Sequence, residues 1–173
     1  MNSINQMTHY HANMAALLQV GNWMDYLREN GVCDNTRIII VADHGNDMGQ
    51  LEDLFSKEGK TMEGYFPLLM VKDFGATEFT TSSVFMTNAD VPTLAVEGLV
   101  ESPTNPFTGK PINNDAKTAH EQFIIMSSQI DLKKNNGTTF LPDRWVSVKD
   151  NIWDPDNWTF YEGELVLSEH KAP

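Results

Sequence analysis

Residues 38 to 45 read Ile-Ile-Ile-Val-Ala-Asp-His-Gly, which places a carboxylate and an imidazole at the end of a β-branched apolar run. In open α/β sheets ligands gather at the carboxyl ends of strands, so chemistry is expected here. Successive side chains on a strand point to opposite faces. Asp43 and His44 can therefore share one ion only if the chain bends, and Gly45 permits the bend. An Asp oxygen with a His nitrogen suits a borderline divalent ion such as Zn²⁺ or Mn²⁺. The plainer reading is a turn with an incidental histidine, and a tripeptide alone does not decide between them.

The elements that must position this pair are legible on either side of it. Apolar residues Met14, Leu17, Leu18, Gly21, Met24 and Leu27 recur at three- and four-residue spacing, which predicts a helix over residues 8–30 stopped by Gly31. The turn Asp34-Asn35-Thr36 leads into the apolar run 38–42, too short for a helix and without polar alternation. It predicts a strand buried on both faces, hence central and parallel. A second apolar run follows at 66–71, a short helix capped by Asp90 over 92–98, a long irregular loop at 102–114, and strands at 123–126 and 145–148. The final third holds Trp145, Trp153 and Trp158 among turn residues. The fold expected is α/β: a mixed or parallel sheet flanked by helices over residues 1–130, with an irregular Trp-rich appendage over 131–173 packing on it. The tryptophans themselves are expected to form a packed subcore rather than a sugar-stacking surface.

Composition narrows the partners. The chain has 173 residues, with 12 Lys and Arg against 24 Asp and Glu, a net charge of −12. A general binder of nucleic acid would face repulsion from phosphates at every approach, so that class is excluded. The lone Cys33 rules out an intramolecular disulfide framework and any multi-cysteine zinc site. The amino end is polar where a secretory signal would be basic and then apolar, and no run approaches a membrane span, so the chain as written is expected to be soluble.

Taken in order, Tyr10-His11-Ala12-Asn13, Gly21, Leu27, Gly31, Asp34-Asn35-Thr36 and Asp43-His44-Gly45 resemble the sulfatase branch of the alkaline phosphatase superfamily, in its sulfatase and lipoteichoic acid synthase-like members. Downstream, Lys60-Thr61-Met62-Glu63-Gly64-Tyr65-Phe66-Pro67-Leu68-Leu69 is similar to the family's Lys, Glu-Gly, Val-Pro-Leu-Ile segment. Asn88-Ala89-Asp90-Val91-Pro92-Thr93-Leu94 looks like its Asp-Ile-Ala-Pro-Thr-Leu helix start. The resemblance spans residues 10 to about 98.

The resemblance implies the carboxyl-terminal part of a metal-dependent hydrolase or transferase acting on sulfate or phosphate esters. In it Asp43 and His44 would ligate a divalent ion (Mn, Zn, Ca or Mg), and Lys60 would hold the anionic group of the substrate as a point charge. The family's arginine before Val-Pro is replaced by the neighbourhood of Tyr65 and Phe66, and no Cys-x-Pro-x-Arg nucleophile motif stands in the chain. No catalytic nucleophile is therefore assigned to it. The partners implied are an anionic ester substrate and an amino-terminal half of the enzyme, with self-association expected of an apolar surface left without that half. The resemblance also implies an extracytoplasmic or cell-surface setting. The alternative is a non-catalytic binding or interaction domain that retains a sulfatase-like α/β remnant.

Overall fold

Residues 3–24 carry no Asp, Glu, Lys or Arg, and the chain there winds into the long helix α1 (Ser3–Glu29). The structure, a computed structural model, describes residues 3–47, 49, 51–127, 129–133, 137, 139–141 and 144–162. Part of the expected appendage, residues 163–173, lies outside them. Arg28 in the last turn of α1 complements the negative end of the helix dipole. Gly31 adopts φ +68°, and the Val32 N–H bonds the Leu27 carbonyl at 3.0 Å while the Gly31 N–H bonds that of Arg28 at 3.0 Å. This paired closure is the stop expected of a glycine at that position.

The chain divides into two compact units, Met1–Glu52 with Met62–Thr81 and Asp53–Thr61 with Ser82–Pro173. In the first, Leu27, Cys33 and Ile38 form a small buried core with Met24 and Ile40 packed against it. The turn after α1 is a 3-10 turn at Cys33–Asn35, closed by the Thr36 hydroxyl donating to the Val32 carbonyl at 2.8 Å. The Lys72 ammonium donates to the carbonyls of Cys33 and Thr36, tying this turn to the neighbouring strand.

That strand is β2 (Leu69–Lys72), and it pairs antiparallel with β1 (Ile38–Val41), Ile38 opposite Lys72 and Val41 opposite Leu69. The expectation of a central, parallel strand is corrected: no parallel sheet is present among the described residues, and the pair is two-stranded. One face, with Ile38 and Ile40, packs on α1. The other carries Ile39, Val41, Leu69 and Val71, and here Val41 is 42% and Val71 44% exposed. An unalternating apolar run signals two apolar faces, but not that both are covered. The chain is mixed α/β with small antiparallel sheets.

The second unit is built around a buried carboxylate. The expected helix appears as α2 (Val91–Val96), preceded by a 3-10 turn at Asn88–Asp90. Asp90 does not cap α2 with its side chain. It turns back to accept the Thr87 N–H at 2.9 Å, completing a capping box on the 3-10 turn. The same carboxylate accepts from Lys117 Nζ at 2.6 Å and Asn105 Nδ2 at 3.2 Å, and Asn105 in turn accepts the N–H groups of Phe107 and Thr108. Burial alone would raise the pKa of Asp90, but the Lys117 hydrogen bond and charge, with the Thr87 N–H, hold it below its ordinary value. Lys117 lies on α3 (Asn114–Ala119), which Asn113 caps by accepting the Ala116 N–H at 2.9 Å.

A three-stranded antiparallel sheet follows, in the order β3 (Gln122–Met126), β6 (Arg144–Val148), β7 (Trp158–Tyr161). A separate hairpin joins β4 (Gln129–Asp131) to β5 (Thr139–Leu141). Alternation along β6 sends Val146 and Val148 to one face and Trp145 and Ser147 to the other. Trp145 faces Tyr161 across the ladder, their rings stacked 3.7 Å apart at 3°. The hydroxyls of Ser147 and Tyr161 both donate to Glu121. The tail thus contributes a regular strand where turn residues at 154–157 pointed to irregular chain. Trp145 and Trp158 are both buried but on opposite faces of this sheet, Trp158 opposite Val148 and Trp145 opposite Tyr161, so the tryptophans do not gather into one subcore. Trp153 is half exposed and donates its indole N–H to the Ser82 carbonyl.

Candidate metal centre

β1 ends at Val41, and the chain leaves it through Ala42, whose N–H bonds the Leu68 carbonyl at 2.8 Å. Asp43 and His44 therefore stand just beyond the last ladder residue, where a strand no longer forces neighbours to opposite sides. The Asp43 carboxylate accepts the His44 backbone N–H through Oδ1 at 3.0 Å. His44 Nδ1 lies 2.7 Å from the Gly45 carbonyl oxygen, which can only accept, so Nδ1 carries the hydrogen. In the neutral ring that leaves the lone pair on Nε2, the form in which imidazole binds metal.

His44 Nε2 lies 3.8 Å from Asp43 Oδ2, and both side chains are exposed. Donors sharing one ion at bond lengths of about 2.1 Å sit roughly 3.4 Å apart in a tetrahedral site, so a small side-chain rotation closes the gap. The donor set and the protonation pattern fit two ligands of a divalent ion. Among the described residues no group of three His, Cys, Asp or Glu comes together, so the pair is an open, partial set.

The loop after the pair is moulded on residues 62–65. Gly45 donates its N–H to the Gly64 carbonyl at 3.2 Å. Asp47 Oδ1 accepts the Gly64 N–H at 2.8 Å. Glu63, 4% exposed, accepts the N–H groups of Gly49 at 2.5 Å and Leu51 at 2.9 Å through its two carboxylate oxygens. Sequence reasoning gave Glu63 and Asp47 no role. The one available signal was the Glu63-Gly64 pair within the family-like segment, and its partners lie 12 to 17 residues away in the chain.

Lys60 belongs to the second unit. Its backbone closes a small turn, donating to Ser56 Oγ at 3.2 Å and accepting the Ser56 N–H at 2.8 Å, within a loop bridged at Phe55 and Thr61. Its ammonium stands 5.4 Å from the centre of the Phe160 ring, a cation–π distance. His9 and His11 sit on exposed turns of α1. No helix among the described residues is long and apolar enough to cross a membrane. Compared with protein-family models, curated proteins and solved structures, the chain matches none.

Proposed function

We propose that this chain supplies the strand-end metal ligands of a sulfatase-like enzyme that hydrolyses or transfers sulfate or phosphate esters, in an extracytoplasmic setting. The observation that carries the reading is the His44 ring: Nδ1 is committed to the Gly45 carbonyl, and Nε2 faces the Asp43 carboxylate at 3.8 Å. With Nδ1 turned to that carbonyl, the ring presents Nε2 on the side of the carboxylate, so that one ion could take a nitrogen and an oxygen donor together. A divalent ion held there supplies Lewis-acid stabilisation of charge on the transferred group. Asp43 adds negative charge that draws the cation, Gly45 holds the imidazole in its metal-binding form, and exposure of both donors leaves room for further ligands and for substrate. Lys60, in the second unit, is assigned to the anionic group of the substrate by the resemblance alone.

The reading is tested by metal analysis of a complete enzyme containing this chain, after equilibration with Mn²⁺ or Zn²⁺, because the pair is a partial set and the chain alone is expected to hold metal weakly. Bound metal should fall to background in the Asp43→Ala, His44→Ala double variant. Equal content in parent and variant removes the metal reading and leaves a binding domain on the same α/β scaffold. The chain alone is expected to show no turnover of aryl sulfates or aryl phosphates, because the covalent step of the family needs a nucleophile in a motif it does not contain. Robust metal-dependent turnover would place a nucleophile among its own residues.

A further inference from the structure

Among the described residues of the first unit, Glu63 is the carboxylate that is both buried and aimed at the loop carrying the two donors. Burying an ionised side chain is costly unless hydrogen bonds replace its water, and here two backbone N–H groups do so, one on each oxygen. Both belong to the loop that leaves the Asp43–His44 pair. The backbone of Glu63 and Gly64 grips the same loop nearer the pair. A Cβ on Gly45 would come within 2.1 Å of the Glu63 carbonyl oxygen, and the Gly45 N–H bonds the Gly64 carbonyl at 3.2 Å. The grip is anchored: Met62 is fully buried, Tyr65 is nearly so, and the Tyr65 and Phe66 N–H groups close a 3-10 turn on Met62 and Glu63.

We propose that Glu63 is the positioning residue of the Asp43–His44 pair, its buried carboxylate holding the Gly49 and Leu51 N–H groups so that the loop leaves Gly45 in the one path that keeps the Gly45 carbonyl on His44 Nδ1. This rests on the metal reading for its purpose, but the positioning itself is a property of the chain without metal. The carboxylate is needed rather than any polar group, because two donors converge on it from one loop and an amide side chain offers only one acceptor oxygen.

The test combines amide hydrogen exchange with Co²⁺ titration followed by visible absorption, on the parent, Glu63→Gln and Glu63→Ala. In the parent, the Gly49 and Leu51 amides should exchange slowly although their loop is largely exposed. In Glu63→Gln, one of the two should lose protection, and Co²⁺ affinity should fall about tenfold, the low end for residues that orient a ligand from outside the metal shell. Glu63→Ala should expose both amides and weaken binding further. Fast exchange of both amides in the parent overturns the proposal with no variant needed. So does a Glu63→Gln variant with both amides still protected, or with Co²⁺ affinity within about twofold of a metal-binding parent. If the parent binds no Co²⁺ at all, two donors are too few to hold the ion in this chain, and the exchange pattern alone decides whether Glu63 holds the loop.

Discussion

Gly45 and Glu63 lie so close that a single added carbon on Gly45 would sit 2.1 Å from the Glu63 carbonyl oxygen, with the carbonyl carbon and oxygen of Gly64 each 2.9 Å away. All three are backbone atoms, which cannot swing aside as a side chain would. The smallest residue in the Asp-His-Gly triplet is therefore demanded by contact, and not by a left-handed backbone, which Gly45 does not adopt.

Replacing Gly45 by Ala should destabilise the chain by about 1–3 kcal/mol, the usual cost of forcing a methyl group into filled space. It should also lengthen the His44 to Gly45 hydrogen bond by pushing the loop off residues 63–64. Urea unfolding of Gly45→Ala measures the first effect. A midpoint equal to the parent's would mean that the loop yields freely.

The Asp90–Lys117 pair carries a pH signature. Asp90 titrates below its ordinary value in the fold, so its contribution is present above its unfolded pKa, near 3.8, and is lost as pH falls through the lower folded value. Lys117→Met should cost about 3 kcal/mol at neutral pH, since it leaves a buried carboxylate without its cation. The deficit relative to the parent should shrink once acid protonates Asp90 in both proteins. Urea midpoints at pH 7 and at pH 3 check this, and a deficit that is constant or grows in acid would contradict it.

Along α1, Met7, Tyr10, Met14 and Leu17 recur at alternating three- and four-residue spacing beside Leu18, and all are substantially exposed, Leu18 by 63%. With no formal charge on residues 3–24, nothing on this stripe opposes association, although the whole chain carries −12. Concentration-dependent self-association is expected. Leu17→Lys with Leu18→Lys should weaken it at least about tenfold by removing two apolar contacts and adding repulsion. Sedimentation velocity over a wide concentration range is the check, and a parent that stays monomeric throughout would refute the expectation.

Lys60 has two roles that can be separated. As a cation over Phe160 at 5.4 Å it contributes about 0.5–1 kcal/mol to the fold. As the holder of a substrate oxygen its loss should lower kcat/KM by about 2–4 kcal/mol in an active enzyme containing this chain. Lys60→Ala with stability and turnover measured side by side distinguishes them. A rate change smaller than about threefold leaves only the structural role.

Local elements were legible where a residue type has one physical use. Gly31 announced the end of α1, and the apolar runs at 38–41 and 123–126 announced strands. The direction of β1 was not legible, because Ile38-Ile39-Ile40-Val41 looks the same whether its second face is covered by helices or left bare as Val41 and Val71 leave it. Asp43 and His44 could be picked out by donor chemistry at a strand end. The clamp on their loop could not, since it joins Glu63 and Asp47 to backbone N–H groups that every residue but proline possesses and no pattern marks. In the second unit, turn residues before Trp158 concealed β7, whose pairing depends on β6 rather than on its own period.

The most direct test of the central claim is the ring nitrogen spectrum of His44 during a Zn²⁺ titration, in a complete enzyme containing this chain and in its Asp43→Ala variant. Without metal, Nδ1 should carry the proton and Nε2 the lone pair. Added Zn²⁺ should shift the Nε2 resonance while Nδ1 stays protonated, and Asp43→Ala should weaken that response. A His44 Nε2 that stays unmoved at saturating Zn²⁺, or a response confined to His9, His11 or His120, would contradict a metal site at Asp43 and His44.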